Sequence, residues 1–154
     1  MPGMEPVAPF SNPAPVAPTP FGRLTNVICY DGDFPAVTRV AADIMLLLGW
    51  DWPEEGYNHA MKAARLRAIE NGYSLVRTDY WGLSGVFDPF GRVLGMQDAV
   101  PGKDYTMIVD VPVKGVTPPY RLTGDLFAWL CLLATLGLCL AGLLRPLPRA
   151  ARAD

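Results

Sequence analysis

The longest uncharged stretch of the sequence lies close to its C-terminus and runs from Leu126 to Leu144. As a helix, its roughly 19 residues span about 28 Å at about 1.5 Å per residue, which is close to the hydrocarbon thickness of a bilayer. The alternative is the buried helix of a soluble core, but such a helix normally keeps a polar face. Trp129, near the start, suits a membrane interface. We therefore predict one transmembrane helix over residues 126–144.

The charges around this stretch indicate an orientation. Residues 145–154 carry Arg145, Arg149 and Arg152, and a basic flank favours the cytoplasmic side, so we expect a basic cytoplasmic tail. The first residues lack the basic start and apolar core of a signal peptide. Residues 1–20 are rich in proline, which excludes regular helix, and we expect either a disordered leader or an ordered loop lying across a domain.

Length and charge limit the remaining possibilities. The chain has 154 residues, enough for one domain, and a formal net charge of -2 without the basic stripe that nucleic acid requires. Its three cysteines, Cys29, Cys131 and Cys139, show neither metal-ligand nor redox-motif spacing. We therefore predict no nucleic-acid partner, no metal and no cofactor.

The middle of the chain alternates between strand and helix patterns, which predicts a mixed α/β layered fold. Cys29 closes the first buried strand and precedes a tight turn, a place where a nucleophile is exposed yet rigidly held. The predicted strands are 24–30, 44–48, 74–78, 83–88 and 105–111. A short helix is predicted over 36–42, a longer one over 59–71 ending at an Asn-Gly stop signal, and a hairpin over 82–96.

Several short motifs, in order and spacing, resemble the carbon–nitrogen hydrolase (nitrilase) superfamily over roughly residues 21 to 110. They are Phe-Gly-Arg-Leu at 21–24, Val-Ile-Cys-Tyr-Asp at 27–31, Asp-Phe-Pro at 33–35, His-Ala-Met at 59–61, Arg-Leu-Arg-Ala-Ile-Glu-Asn-Gly at 65–72, Leu-Val-Arg at 75–77, Gly-Leu-Ser at 82–84 and Asp-Pro-Phe-Gly-Arg-Val-Leu at 88–94. The exit through 115–121 and 124–125 into a membrane helix is most similar to the apolipoprotein N-acyltransferases.

This resemblance implies a fold and an activity. The expected fold is the C-terminal half of a nitrilase-type αββα sandwich, a partial domain over 21–120, followed by the transmembrane helix. The implied activity moves an acyl group from a phospholipid donor, through a thioester on Cys29, to the N-terminal amine of an apolipoprotein acceptor. The implied location is the bacterial inner membrane, with the catalytic domain on its outer face in the full-length form.

The resemblance also implies a Glu-Lys-Cys triad, and only the Cys has a counterpart here. No lysine precedes Lys62, so the family's Lys and general-base Glu are absent and we expect a missing N-terminal half. Glu5 matches the loop that follows the family Lys and is a candidate supporting residue. Asp31 replaces the usual Glu after the nucleophile, and Trp52 is a candidate for the acyl-pocket tryptophan.

Other residues have a structural interpretation. His59 is expected to cap a helix or make a hydrogen bond, and Arg65, Arg67 and Glu70 to form ion pairs on a helix surface. Arg77 is a candidate buried, paired arginine without an assigned partner. Two further functions stay open: a membrane-tethered amidase or nitrilase acting on small amides, and a non-catalytic remnant or subunit that pairs with another chain.

We predict that the isolated chain is poorly soluble and catalytically inactive, because half a sandwich leaves strand edges and an apolar face open. Sedimentation of the expressed chain and an acyl-transfer assay check this. A purified chain that hydrolyses or transfers acyl groups, and loses that activity on Cys29→Ala substitution, would contradict it.

Overall fold

The fold is a single mixed β-sheet with helices on one face, seen in a computed structural model that describes residues 13–51 and 57–144. Six strands lie in sequence order across the sheet. They are β1 (Val16–Thr19), β2 (Gly22–Ile28), β3 (Ile44–Gly49), β4 (Ser74–Asp79), β5 (Gly82–Phe87) and β6 (Val93–Ala99). Strands β2, β3 and β4 are parallel, and the other pairs are antiparallel.

Helical segments follow the parallel strands. A 3-10 turn covers Cys29–Asp33, and α1 covers Pro35–Thr38. A π-helical segment, His59–Ala64, runs directly into α2, Arg65–Asn71. Two later helices are α3 (Pro119–Thr123) and α4 (Leu126–Leu144). The strand–helix alternation confirms the predicted α/β fold.

The core lies between the helices and one face of the sheet. A row of cross-strand neighbours on β2 to β5 is almost fully buried, and its members are Thr25, Met45, Leu75 and Phe87. Three alanines of the π-helical segment and α2, spaced four residues apart, are also buried because their small side chains let the helix approach the sheet closely. They are Ala60, Ala64 and Ala68.

The opposite face of the sheet is open where β2 and β3 end. Ile28 and Leu48 are level on β2 and β3, and they are 59% and 49% exposed. Apolar side chains on a sheet face normally pack against a second layer. Among the described residues, this pair of apolar side chains has no such layer against it.

The predicted strand over 105–111 is wrong. Among the described residues this segment has no ladder partner. Its alternation is real, since Tyr105, Met107, Val109 and Val111 face a cavity of about 560 Å³ over β4 and β5. The segment therefore crosses the open face of the sheet and packs through side chains, instead of extending the sheet beyond β6.

Some observed elements end at other residues than predicted, and part of the proline-rich stretch forms a strand. The first strand ends at Ile28, because Cys29 already turns away from the sheet, and α1 stops at Thr38 instead of reaching residue 42. Residues 16–19 of the proline-rich stretch form β1 at the edge of the sheet. The nitrogen of Pro18 has no hydrogen to donate, and an edge strand tolerates this because one of its sides has no neighbouring strand. Gly72 ends α2 with φ 72°, as the Asn-Gly signal predicts.

Helix α4 belongs to a second compact unit, residues 123–154. Its residues Leu126–Leu143 have a mean hydropathy of 2.3, and none of that stretch is buried. A helix of a soluble core would be mostly buried, so by length and composition α4 is able to cross a membrane. The predicted tail, residues 145–154, lies outside the described residues.

Asp43, just before β3, connects three parts of the first unit. Its Oδ2 accepts hydrogen bonds from the backbone nitrogen and Nε of Arg23, each at 2.9 Å. Its Oδ1 accepts bonds from Nη2 of Arg23 at 3.0 Å and from the backbone nitrogen of Gly115 at 3.1 Å. The hydrogen bonds from Arg23 hold the pKa of Asp43 well below its usual range. The carboxylate thus links β2, β3 and the segment that leaves the domain.

We predict that Asp43→Asn lowers the free energy of unfolding by about 1–2 kcal/mol at pH 7, because it weakens charge-assisted bonds to a half-exposed arginine. The folded pKa lies below the unfolded value of about 3.9, so this stabilisation is present above that pH and is lost as the pH falls. Urea unfolding in detergent, followed by tryptophan fluorescence at pH 7 and pH 3, measures both effects. Asp110→Asn, at an exposed position, is the control, and an equal loss at both pH values would contradict the prediction.

Candidate active site around Cys29

Three chemically active side chains follow or end the parallel strands. Cys29 comes directly after β2, Asp51 comes two residues after β3, and Asp79 is the last residue of β4. Because these strands are parallel, their carboxyl ends meet at one edge of the sheet, where ligands of α/β proteins usually bind. The fold therefore brings residues spread over 51 positions to one place.

Cys29 has an unusual backbone. Its φ is 51°, and it is the only non-glycine residue with positive φ among the described residues. The left-handed conformation costs an ordinary residue about 1–2 kcal/mol and persists only where the surroundings impose it. Here the chain leaves a buried strand and turns at once, so the thiol is exposed at the sheet edge. This placement agrees with the predicted position, and the nucleophilic role of Cys29 stays a prediction.

Cys29 opens onto a cavity of about 230 Å³. Its lining comes from β3 and β4, the 3-10 turn, the loop after β3 and the π-helical segment. Its lining residues are Cys29, Tyr30, Gly32, Asp33, Leu47, Gly49, Trp50, Asp51, His59, Ala63, Ala64 and Arg77. The cavity is therefore mainly apolar, with a few charged side chains at one side.

A buried arginine with two carboxylates lies under this cavity. Nη2 of Arg77 is 2.5 Å from Oδ2 of Asp51 and 2.6 Å from Oδ2 of Asp79. The Arg77 side chain is 3% exposed, and the two carboxylates are 8% and 0% exposed. Buried charges persist only when they are paired and hydrogen-bonded, and here each charge has a partner.

Further hydrogen bonds fix the loops around these charges. Oδ1 of Asp79 accepts the backbone N–H of Asp51 at 3.1 Å and that of Trp81 at 3.0 Å. Nη1 of Arg77 donates to the Leu83 carbonyl at 3.1 Å. Gly49 lies against the pair, because a Cβ there would come within 2.9 Å of both Arg77 Nη2 and Asp79 Oδ2. The cluster thus holds the turns after β3 and β4 in place.

His59 extends the cluster into the cavity. Its Nδ1 is 3.0 Å from Oδ2 of Asp51, and its Nε2 is 3.9 Å from Oδ2 of Asp33. The expected hydrogen bond of His59 is therefore present, but the side chain is 40% exposed and is not a core residue. His59 is also the first residue of the π-helical segment, a type of segment that often occurs at functional sites.

The charge of the cluster is unbalanced. Asp33, Asp51 and Asp79 contribute three carboxylates against the single guanidinium of Arg77, so the formal charge is -2 with His59 neutral. Arg77 already pairs with two of the carboxylates. A thiolate on Cys29 would add another negative charge, and the described lining residues offer no further lysine or arginine to balance it.

Comparison with known proteins identifies the family. Residues 4–118 match the carbon–nitrogen hydrolase family, and these residues make up most of the chain. The chain belongs to the carbon–nitrogen hydrolase family. Its mixed sheet with helices on one face is that family's α/β fold, as the resemblance predicted.

Several curated relatives of this carbon–nitrogen hydrolase chain are apolipoprotein N-acyltransferases. The protein from Caulobacter vibrioides is 27% identical over 130 residues, which cover 81% of this chain and 24% of that protein. The protein from Bradyrhizobium diazoefficiens is 31% identical over 126 residues, which cover 73% of this chain and 21% of that protein. The chain therefore spans less than a quarter of the length of these relatives.

A solved relative is an amidase of the nitrilase superfamily from Nesterenkonia sp. AN1. One of its structures has a TM-score of 0.60 at 25% identity, and the match covers 82% of this chain and 49% of the amidase. A variant of that amidase, with a TM-score of 0.61 and 25% identity, shows covalent addition of an acetamide moiety at its active site cysteine. That match covers 82% of this chain and 50% of the variant.

Of the other predicted site residues, Asp31 is described by the structure and does not line this cavity. Asp31 lines a separate surface cavity beside Asn26 and Ile28, because the 3-10 turn points consecutive side chains in different directions. Glu5 and Trp52 lie outside the described residues. Trp50 is 67% exposed and makes an edge contact with Tyr80, with the ring centroids 5.3 Å apart.

The ion pairs expected on the helix surface among Arg65, Arg67 and Glu70 are only partly present. Arg67 forms the expected ion pair with Glu70. Arg65 instead donates from Nε to the Gly91 carbonyl at 2.6 Å and so contacts the turn between β5 and β6. Among the described residues there is no group of three or more potential metal ligands.

The partners of Arg77 were not assigned from the sequence, although two signals indicate them. Arg77 and Asp79 are two residues apart on one strand and therefore share a face. Asp51 follows the neighbouring parallel strand, so it reaches the same sheet edge. Together, these two rules predict from the sequence that Arg77 pairs with Asp51 and Asp79.

We predict that Arg77→Met lowers the free energy of unfolding of this carbon–nitrogen hydrolase domain by about 3–5 kcal/mol, because it leaves Asp51 and Asp79 as uncompensated buried charges. Urea unfolding in detergent measures the change. Arg39→Met, at an exposed arginine, is the matched control and should change stability by less than about 0.5 kcal/mol. Similar losses in both variants would show that the buried pairing is unimportant.

Proposed function

We propose that this chain carries the nucleophile-bearing part of an N-acyltransferase, in which Cys29 takes an acyl group from a phospholipid and passes it to a primary amine. The observation that carries the proposal is Cys29 itself, on a left-handed turn at the carboxyl edge of the parallel strands and at the mouth of a cavity. The names of the curated relatives and the apolar helix α4 support the choice of a membrane acyltransferase.

The proposed chemistry has two steps. The Cys29 thiolate attacks the ester carbonyl, a C–S bond forms, and the C–O bond breaks. The lysophospholipid leaves as an alcohol after it takes up the proton that the base removed from the thiol. The amine then attacks the thioester carbonyl, a C–N bond forms, and the C–S bond breaks to restore the thiolate. The acceptor loses one proton in the second step.

Formation of the thiolate requires a base and a nearby cation. The cluster beside Cys29 has a formal charge of -2, and its single guanidinium is paired, so the cavity lacks a spare cation among its described lining residues. We propose that the Glu and Lys of the family triad come from sequence outside this chain. This supports activity of the longer gene product and inactivity of the chain alone.

The size of the cavity limits which part of the substrate it holds. About 230 Å³ is smaller than the roughly 300–1,000 Å³ of a pocket for a drug-sized ligand. The cavity therefore accommodates the reacting carbonyl and its immediate neighbours. We propose that α4 lies in the bacterial inner membrane and keeps the domain, on the outer face, close to the phospholipid donor.

A second candidate function is hydrolysis of small amides. The solved amidase relative, with acetamide attached to its active site cysteine, favours this alternative, and a small cavity suits a small acyl group. In that reaction water instead of an amine attacks the thioester. A third candidate is a non-catalytic chain that pairs with another polypeptide, which would form no acyl-enzyme in any context.

We predict a thioester on Cys29 when the gene product, including any coding sequence upstream of Met1, is incubated in membranes with phospholipid vesicles. Mass spectrometry of the Cys29 peptide should find the acyl adduct, and hydroxylamine should remove it. Cys29→Ala should abolish the adduct, whereas Cys131→Ala should retain it, because Cys131 lies within α4.

The same assay separates the candidates. Incubation with butyramide in place of phospholipid should leave Cys29 unmodified if the acyltransferase proposal is correct. An adduct from butyramide alone would favour the amidase. An adduct from neither substrate, with folded protein, would favour the non-catalytic role.

A further inference from the structure

The Cys29 cavity presents two acceptor atoms, one on His59 and one on Asp33, that the proposed thioester formation does not use. His59 and Asp33 are 40% and 32% exposed, whereas Asp51 and Arg77 behind them are 8% and 3% exposed. Both partly exposed side chains line the cavity that also contains Cys29. They are therefore accessible to a molecule that enters this cavity.

The bond between His59 and Asp51 determines which atom of the imidazole is available. A carboxylate accepts hydrogen bonds, so a neutral His59 carries its proton on Nδ1, 3.0 Å from Oδ2 of Asp51. This leaves Nε2 as an acceptor directed toward Asp33. Asp51 is itself fixed by Arg77 at 2.5 Å, so the ring orientation is held from behind.

The gap between the two acceptors suits a nitrogen with several hydrogens. Nε2 of His59 and Oδ2 of Asp33 are 3.9 Å apart, which is too far for a direct hydrogen bond. A donor nitrogen about 2.9 Å from each atom fits the gap as a bridge. A primary amine or ammonium supplies two such hydrogens, and the negative charge of the cluster attracts the cationic form.

We propose that His59 and Asp33 form the acceptor-amine subsite of the Cys29 cavity. This inference rests on the proposed acyl-transfer function and names the group that the second step uses. Asp33 draws the ammonium into the cavity, and Asp51, buried beneath, is a positioning residue that acts through His59. Water is the alternative occupant and is treated as an outcome of the test.

The bound ammonium first releases one proton to solvent, which frees the lone pair of its nitrogen. The neutral amine nitrogen then attacks the thioester carbonyl, the C–N bond forms, and the C–S bond breaks to leave the Cys29 thiolate. The second proton of the nitrogen moves to Nε2 of His59. The imidazolium is stabilised between Asp51 and Asp33, and it later gives the proton to the thiolate or to solvent.

The test isolates this second step in the gene product, including any coding sequence upstream of Met1. Cys131 and Cys139 are replaced by Ala, so Cys29 is the sole thiol of the three cysteines. Cys29 is then acetylated by exchange with S-acetyl-N-acetylcysteamine in detergent. The loss of the acetyl group to glycinamide is followed by intact-protein mass spectrometry, while chromatography distinguishes N-acetylglycinamide from acetate.

We predict that the folded thioester reacts saturably with glycinamide, about 10²-fold faster than the same thioester in urea. His59→Asn retains a donor toward Asp51 but lacks an acceptor at the Nε2 position, so it should lower the maximal rate about 10²-fold. Asp33→Asn should raise the KM for glycinamide about tenfold with a smaller effect on the maximal rate. Asp110→Asn, an exposed acid outside the cavity, should leave both parameters unchanged.

Each other outcome overturns the inference. A reaction that is linear in glycinamide, or equal in folded chain and urea, means that no amine subsite exists. An unchanged maximal rate in His59→Asn removes the role of Nε2, provided its urea midpoint matches that of the unsubstituted chain. Acetate as the main product assigns the gap to water.

This test is independent of the proposed first step. If the complete gene product forms no thioester from phospholipid, the proposed function fails even when glycinamide transfer from loaded Cys29 is observed. If the thioester forms but His59→Asn transfers normally, the subsite fails and the acyltransferase proposal stands.

Discussion

The pairing of one buried guanidinium with two buried carboxylates is the interaction on which the Cys29 end of the sheet depends. Arg77 comes from β4, Asp51 from the loop after β3, and Asp79 from the end of β4. Removal of the guanidinium would leave two carboxylates in a medium that solvates them poorly. The cluster therefore fixes the relative positions of two strand ends, and Asp51 also holds His59, which lines the same cavity as Cys29.

The two faces of the sheet have different physical requirements. The helix-covered face is filled by level rows of buried side chains and by alanines that let the helix approach closely. The opposite face presents Ile28 and Leu48 to solvent, whereas the 105–111 segment lies over β4, β5 and β6. The Cys29 cavity lies on the covered side. Its described lining residues include no lysine, and their single arginine, Arg77, is already paired.

Sequence patterns predicted the positions of β2, β3 and β4 and of the helix that ends at Asn71-Gly72, because these depend on local periodicity and strong stop signals. Their parallel arrangement was not predicted. The position of Cys29 followed from the same patterns, whereas its cavity did not. The cavity depends on distant side chains, with His59 and Asp51 meeting only after the parallel strands align. The 105–111 segment was misassigned because alternation also arises when a chain lies flat on a sheet and contacts it with every second side chain. Asp31 is close to Cys29 in the sequence, but the 3-10 turn directs its side chain into a different cavity.

The backbone of Cys29 has a consequence for how this position would change under selection. The backbone of Cys29, with φ 51°, has a conformation that glycine adopts without steric cost. Glycine would relieve about 1 kcal/mol of strain, partly offset by its greater freedom in the unfolded chain. Selection for folding alone would therefore favour loss of the thiol, and selection for acyl transfer would oppose it. A library screened first for abundance and then for acylation would reveal these opposing preferences at a single residue, and would show whether the thiol is retained for chemistry or merely tolerated by the fold.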